Sequence, residues 1–131
     1  MKAEIIPLLI VKDVAANVEY LEDALKFKLD RLSDGNEFAV MKYLGATLML
    51  QSQRLYASSR NISPEECTLE HGIEILLRIR GVDEAYEQAR KKARIIRQLH
   101  SVSENFESSI RRFSVALPDG HIITFFEYIL A

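Results

Sequence analysis

The 131-residue chain has no tryptophan, three prolines, five glycines and a single cysteine, Cys67. One cysteine excludes an internal disulfide and any Cys-rich metal site, and Cys67 reads as a structural bystander. So few prolines and glycines exclude collagen-like and low-complexity linker sequences. No apolar run approaches the roughly 20 residues that span a bilayer. The run "IIPLLIV" closes at Lys12 and Asp13 after seven residues, too short for a secretory leader, and the expected location is cytoplasmic. Neither charge dominates: 17 basic against 19 acidic residues give a net charge of −2 and a pI near 5.9. That balance offers no footing for a polyanion, so neither nucleic acid nor a membrane is an expected partner.

What is present is an ordinary core-forming composition, 48% hydrophobic and 27% charged, in a chain of single-domain length. It also repeats itself. "LLIVKDVAANVEYL" from residue 8 lies over "LLRIRGVDEAYEQA" from residue 76, at an offset of 68. "FAVMKYLGATLMLQ" from residue 38 lies over "FSVALPDGHIITFF" from residue 113, at an offset of 75, pairing Phe38 with Phe113 and Gly45 with Gly120. Two matches in the same order at nearly equal offsets indicate a duplicated unit. The repeats cover about residues 1–52 and 72–131, joined by a polar connector, 53–71, within one domain spanning 1–131.

Periodicity gives each unit a β-α-β-β-β order. Residues 4–11 and 73–80 read as strands. Val18, Leu21 and Leu25 recur at helical spacing behind Asp13, a candidate N-cap. Val82, Ala85, Tyr86, Ala89, Ala93 and Ile96 predict a second helix, with Arg90, Lys91, Lys92 and Arg94 on its solvated side and His100 at its end. "YLGA" and "LPDG" supply hairpin turns. The remaining strands fall near 29–33 and 102–108. The connector reads as a loop, with a candidate capping box at Ser63, Pro64 and Glu66.

The tandem units, "LLIVKDVAANVEYLEDALKF" and "FSVALPDGHIITFFE" resemble the glyoxalase/bleomycin-resistance/extradiol-dioxygenase family, the vicinal oxygen chelate superfamily, over nearly the whole chain. The sequence departs from the usual motifs at Leu21, Lys26 and Leu117, which concerns packing and turn chemistry. The resemblance implies an α+β fold in which two tandem βαβββ units form a cupped eight-stranded mixed sheet, commonly in a homodimer. It also implies that the metal-ligand positions of the family's enzymes fall on Ile6, Met49, Glu74 and Thr124. Ile6 and Met49 cannot serve and Thr124 is a poor neutral donor, so Glu74 alone remains and no metal or other cofactor is expected. His71, His100 and His121 lie elsewhere and read as surface histidines.

Strand alternation assigns Ile6, Leu8, Thr47, Met49, Gln51, Glu74, Leu76, Arg78, Thr124 and Phe126 to a ligand-facing surface. Leu48, Leu50, Ile75, Leu77, Ile79, Ile123 and Phe125 face the helices. A mainly apolar lining with a few polar groups suits a small organic ligand. Arg78 lies about 13 Å from Glu74 by strand rise, too far for a direct pair. Glu74 therefore meets another arginine or water, recognises a ligand, or acts as a general base. The leading expectation is a metal-independent protein of the bleomycin-resistance-like branch that sequesters an amphipathic molecule. The alternatives are a glyoxalase-like lyase or isomerase with a degenerate or shifted metal site and Glu74 as catalytic base, and an interaction module whose cavity fills itself.

Overall fold

The computed structural model describes residues 3–63, 72–103 and 109–129, and its two compact units divide at His71 and Gly72. In the first unit the order is β1 (Leu8–Val11), α1 (Val14–Leu25), β2 (Lys28–Leu32), β3 (Phe38–Tyr43), β4 (Ala46–Ser52) and α2 (Gln53–Ser59). The second unit runs β5 (Glu74–Arg78), α3 (Val82–Ala89), β6 (Arg94–Ser103), β7 (Ser109–Ala116) and β8 (Ile122–Ile129). Each folds into a four-stranded mixed sheet, in the orders β1-β4-β3-β2 and β5-β8-β7-β6. These are the tandem βαβββ units of the expected α+β class. Among the described residues no helix is long and apolar enough to cross a membrane.

In each unit the first strand pairs parallel with the last, leaving the helix to cross between them. Leu8 pairs with Met49 and Leu76 with Thr124, so the offsets of 68 and 75 are both preserved in the ladders. Residues of alternate sign in the pleat then separate into two faces. In the first unit Leu9, Val11, Met41, Leu48 and Leu50 are buried with Val14, Val18, Leu21 and Leu25 of α1. In the second, Phe113 stacks on Phe125 with ring centroids 5.0 Å apart, and Tyr86 of α3 meets Phe113 edge-on. Each such side chain contributes roughly 1.5–3 kcal/mol on burial.

The helix ends show how local chemistry fixes these elements. Asp13 Oδ1 accepts from Ala16 N at 3.0 Å, the expected N-cap. Gly81 precedes α3 and has no side chain to cap it. The Glu127 carboxylate substitutes, accepting from Gly81 N at 3.2 Å and Val82 N at 3.0 Å.

Four local expectations are corrected. β1 is limited to Leu8–Val11, because Pro7 lacks an N–H and disfavours continuing the ladder; Ile6 therefore stands outside the strand. The second helix stops at Ala89, and the segment expected to continue it is β6, whose Ile95 pairs with Val115. His100 thus lies within a strand, and Arg90, Lys91 and Lys92 form the turn before it. Tertiary pairing overrides the helical spacing of Ala93 and Ile96. Part of the connector is helical: Ser52 caps α2 by accepting from Leu55 N at 3.0 Å. Cys67, His71 and the Pro64 and Glu66 of the candidate capping box lie outside the described residues, as do residues 104–108 of the expected strand.

The fourth correction is one of register. Ala39 and Leu50 pair eleven positions apart, whereas Phe113 and Phe125 pair twelve apart. The second hairpin therefore holds one more residue than the first, and Ala39, rather than Phe38, is the spatial counterpart of Phe113. A one-residue slip exchanges the two faces of a strand. Phe38 accordingly pairs with Gln51 on the face away from α1.

Two predictions follow from these local geometries. The tight turn between β3 and β4 holds Leu44 at φ 45° and Gly45 at φ 88°, with Leu44 80% exposed. Positive φ at both central positions favours Asn-Gly, so Leu44→Asn should raise stability by about 0.5–1 kcal/mol in urea unfolding. At the start of α2, Glu37 accepts from Ser52 Oγ and pairs with Arg54 Nη2 at 2.8 Å. The Ser52 hydrogen bond, then that from Arg54, hold its carboxyl below the ordinary value of 4.5. A lowered folded pKa contributes stability that is full above the unfolded value and lost as pH falls through the folded one. The stability difference between the wild type and Glu37→Gln should therefore be flat above about pH 5.5 and shrink on acidification below 4.5, as followed by urea melts across pH.

Candidate functional site

The face of the second sheet turned away from α3 carries rows of side chains set by the ladder. One row crosses all four strands: Arg78, Phe126, Arg112 and His100. The next row places Leu76, Thr124 and Ser114 side by side. Tyr128 pairs with Ile110 beyond the arginine row. Between these rows lies a cavity of about 210 Å³ lined by Leu76, Ile110, Arg112, Thr124, Phe126 and Tyr128. A wider hollow of about 660 Å³ adjoins it at Arg78, Ile79, Arg80, Glu127 and Tyr128.

Thr124 is 1% exposed and Ser114 equally so. The Thr124 hydroxyl donates to Glu74 Oε2 at 2.6 Å, and its oxygen lies 2.7 Å from Ser114 Oγ. A hydroxyl has one proton to give. Since Thr124 spends its proton on the carboxylate, Ser114 must be the donor to Thr124. The result is a directed chain from Ser114 through Thr124 to Glu74, ending on the only group of the three that carries charge. The short final bond is of the charge-assisted kind. This also identifies the partner of Glu74, which is neither an arginine nor Arg78.

The opposite end of the cavity is cationic. Arg112 Nε approaches His100 Nε2 at 3.5 Å, and His100 Nδ1 lies 2.8 Å from the Gln98 carbonyl. A carbonyl can only accept, so Nδ1 carries the ring proton and the neutral ring turns a lone pair toward Arg112. Arg78 sits over the Tyr128 ring, 4.8 Å from its centroid. Phe126 and Tyr128 meet edge to face, centroids 5.6 Å apart at 86°, and form a right-angled aromatic corner.

Of the residues assigned to the ligand surface from sequence, Leu76, Thr124 and Phe126 line this cavity, with Glu74 hydrogen-bonded to its wall and Arg78 at its rim. Leu8, Thr47, Met49 and Gln51 occupy the corresponding face of the first sheet, half-buried, while Ile6 is exposed ahead of it. Ile110, Arg112 and Tyr128 were not singled out, and His100 was read as a surface histidine. Alternation in "SIRRFSVA" could have found Arg112, since residues opposite to Phe113 and Val115 must face the other way. His121 is a further correction. It is 4% exposed, and its Nδ1 accepts from Ile73 N at 3.1 Å, fastening the turn before β8 to the residue leading into β5.

The donor set does not fit a catalytic metal. At the second unit's two metal-type positions stand Glu74 and Thr124, already joined to each other; Ile6 offers no ligand atom and Met49 only a soft thioether. Among the described residues no three His, Cys, Asp or Glu side chains converge.

The fold is that of several solved proteins. It matches TioX from Micromonospora sp. ML1 at a TM-score of 0.76 and 17% identity, covering 98% of this chain and 100% of that one. A glyoxalase/bleomycin resistance protein/dioxygenase from Nocardioides matches at 0.73 and 18% identity, with coverage of 98% and 85%. A glyoxalase-related enzyme from Fulvimarina pelagi matches at 0.75 and 15%, with coverage of 97% and 88%. No protein-family model and no curated protein sequence matches the chain.

The hydroxyl chain is testable by a double-mutant cycle. Thr124→Val leaves Ser114 without its buried acceptor and should cost about 1–3 kcal/mol in urea unfolding. Adding Ser114→Ala should then cost little more, because both partners are gone.

Proposed function

We propose that the chain is a metal-independent small-molecule-binding protein of the glyoxalase/bleomycin-resistance family, a cytoplasmic homodimer of one two-repeat domain, that sequesters an amphipathic organic ligand. The observation that carries this reading is the cavity on the second sheet, with aromatic and aliphatic walls, cations at one end and an internally satisfied hydroxyl–carboxylate chain at the other. A shaped apolar hollow with few polar groups is what a small organic ligand requires. Family membership is supported by the shared fold and by the tandem motifs of the sequence. A homodimer is supported by the apolar surface that remains exposed, Leu76 at 64% and Tyr128 at 45%.

A second reading, a glyoxalase-like lyase or isomerase, is favoured by one feature. Glu74 presents a carboxylate beside the cavity wall, fixed by Thr124, as a general base must be fixed. Burial of an organic ligand and proton abstraction from it make different demands on this residue. Binding of aromatic and aliphatic amphiphiles, followed by calorimetry, should be saturable, should produce no new product by mass spectrometry, and should weaken at least tenfold in Phe126→Ala. Turnover that collapses in a folded Glu74→Gln protein would instead establish the enzyme.

A further inference from the structure

Resting on the reading of this face as a ligand site, we infer that its ligand is a small aromatic carboxylate, held by Arg112 and Arg78 with its ring against Phe126 and Tyr128.

The two arginines flank Phe126 in a single row, so their backbones stand two strand spacings apart, about 10 Å. Three arginines outside the cavity are already engaged by acids, whereas Arg112 lines the cavity and Arg78 the hollow beside it. Arg54, Arg90 and Arg111 each pair with a carboxylate, Glu37, Glu87 and Asp83 respectively. Among the described residues no carboxylate pairs with Arg112 or Arg78. The contrast is sharpest between neighbours: Arg111 turns to the helix side and bonds Asp83 Oδ1 at 2.8 Å, while Arg112 lines the cavity and, among the described residues, hydrogen-bonds only to His100. The imidazole contact occupies Nε alone, and the outer N–H groups of this half-buried, cavity-lining guanidinium have no hydrogen-bond partner among the described residues. That planar fork matches a carboxylate in two parallel hydrogen bonds.

The rest of the site fits the remainder of such a molecule. The right-angled corner of Phe126 and Tyr128 offers one ring face and one ring edge to a flat guest, and the volume of about 210 Å³ lies below that of sites for drug-sized ligands. A single or fused ring fits. A cationic ligand is disfavoured, because the described residues that line the cavity include Arg112 and no carboxylate, with Arg78 over the Tyr128 ring at its rim.

The test titrates the full chain by calorimetry with 1-naphthoate, the neutral 1-naphthamide and the cationic 1-naphthylmethylamine. Naphthoate should bind at least tenfold more tightly than the amide, with the amine weakest. Arg112→Gln should remove ten- to hundredfold of the naphthoate affinity and little of the amide's, and Arg112→Lys should recover part of it. Thermal melts of both variants establish that they fold. Equal affinity for naphthoate and amide, or naphthoate binding unchanged in Arg112→Gln, overturns the anion assignment while leaving a ligand cavity intact. Tightest binding of the amine overturns it in favour of recognition by Glu74. Failure of all three probes to bind overturns the assignment together with the ligand-site reading.

Discussion

The parallel pairing of the first strand of each unit with its last determines almost everything else in the molecule. Two parallel strands cannot be joined by a tight turn, so the chain must cross over, and α1 and α3 are those crossings. Because the helix covers one face of each sheet, the ladder alone decides which side chains are buried beneath it and which face outward. In the second unit the pairing of Leu76 with Thr124 sets the whole cavity. Shifting β5 by one residue along β8 would turn Glu74, Leu76 and Arg78 toward α3 and bring Ile75 and Leu77 to the opposite face.

Within that frame the buried polar groups explain one another. Thr124, at a position where the resemblance places a metal ligand, is stripped of solvent, and a hydroxyl there must find partners or destabilise the sheet. Ser114 on one side and Glu74 on the other supply them. The same pair of contacts joins Glu74 and Thr124 to each other. The self-satisfied hydrogen-bond chain is thus a property of three side chains, and on the same face Arg112 and Arg78 stand in the neighbouring row.

Much of this was legible in the sequence. The duplication, the element order, the Asp13 cap and the helix-facing residues Leu48, Leu50, Ile79, Ile123 and Phe125 follow from alternation and spacing that the ladders preserve. The losses have specific causes. Ala93 and Ile96 carry a helical spacing that strand pairing overrides. The extra residue in the second hairpin is invisible to an ungapped match of Phe38 with Phe113, and it obscured that Ala39 is the counterpart of Phe113. Arg112 was legible from alternation within β7, whereas His121 was not, because only the folded turn shows its ring accepting from Ile73 N. Ser114 looks like any small polar residue until the strands bring it beside Thr124.

The proposed metal independence rests on the Ser114–Thr124–Glu74 hydrogen-bond chain of the second sheet. The most direct measurement is the melting temperature of protein purified without a metal-affinity tag, titrated with Mg²⁺, Mn²⁺, Ni²⁺ and Zn²⁺. The melting temperature should stay constant up to millimolar ion, in the wild type and in Glu74→Gln alike. A rise of several degrees at micromolar ion that disappears in Glu74→Gln would contradict it, and would mean that Glu74 and Thr124 part to hold a metal.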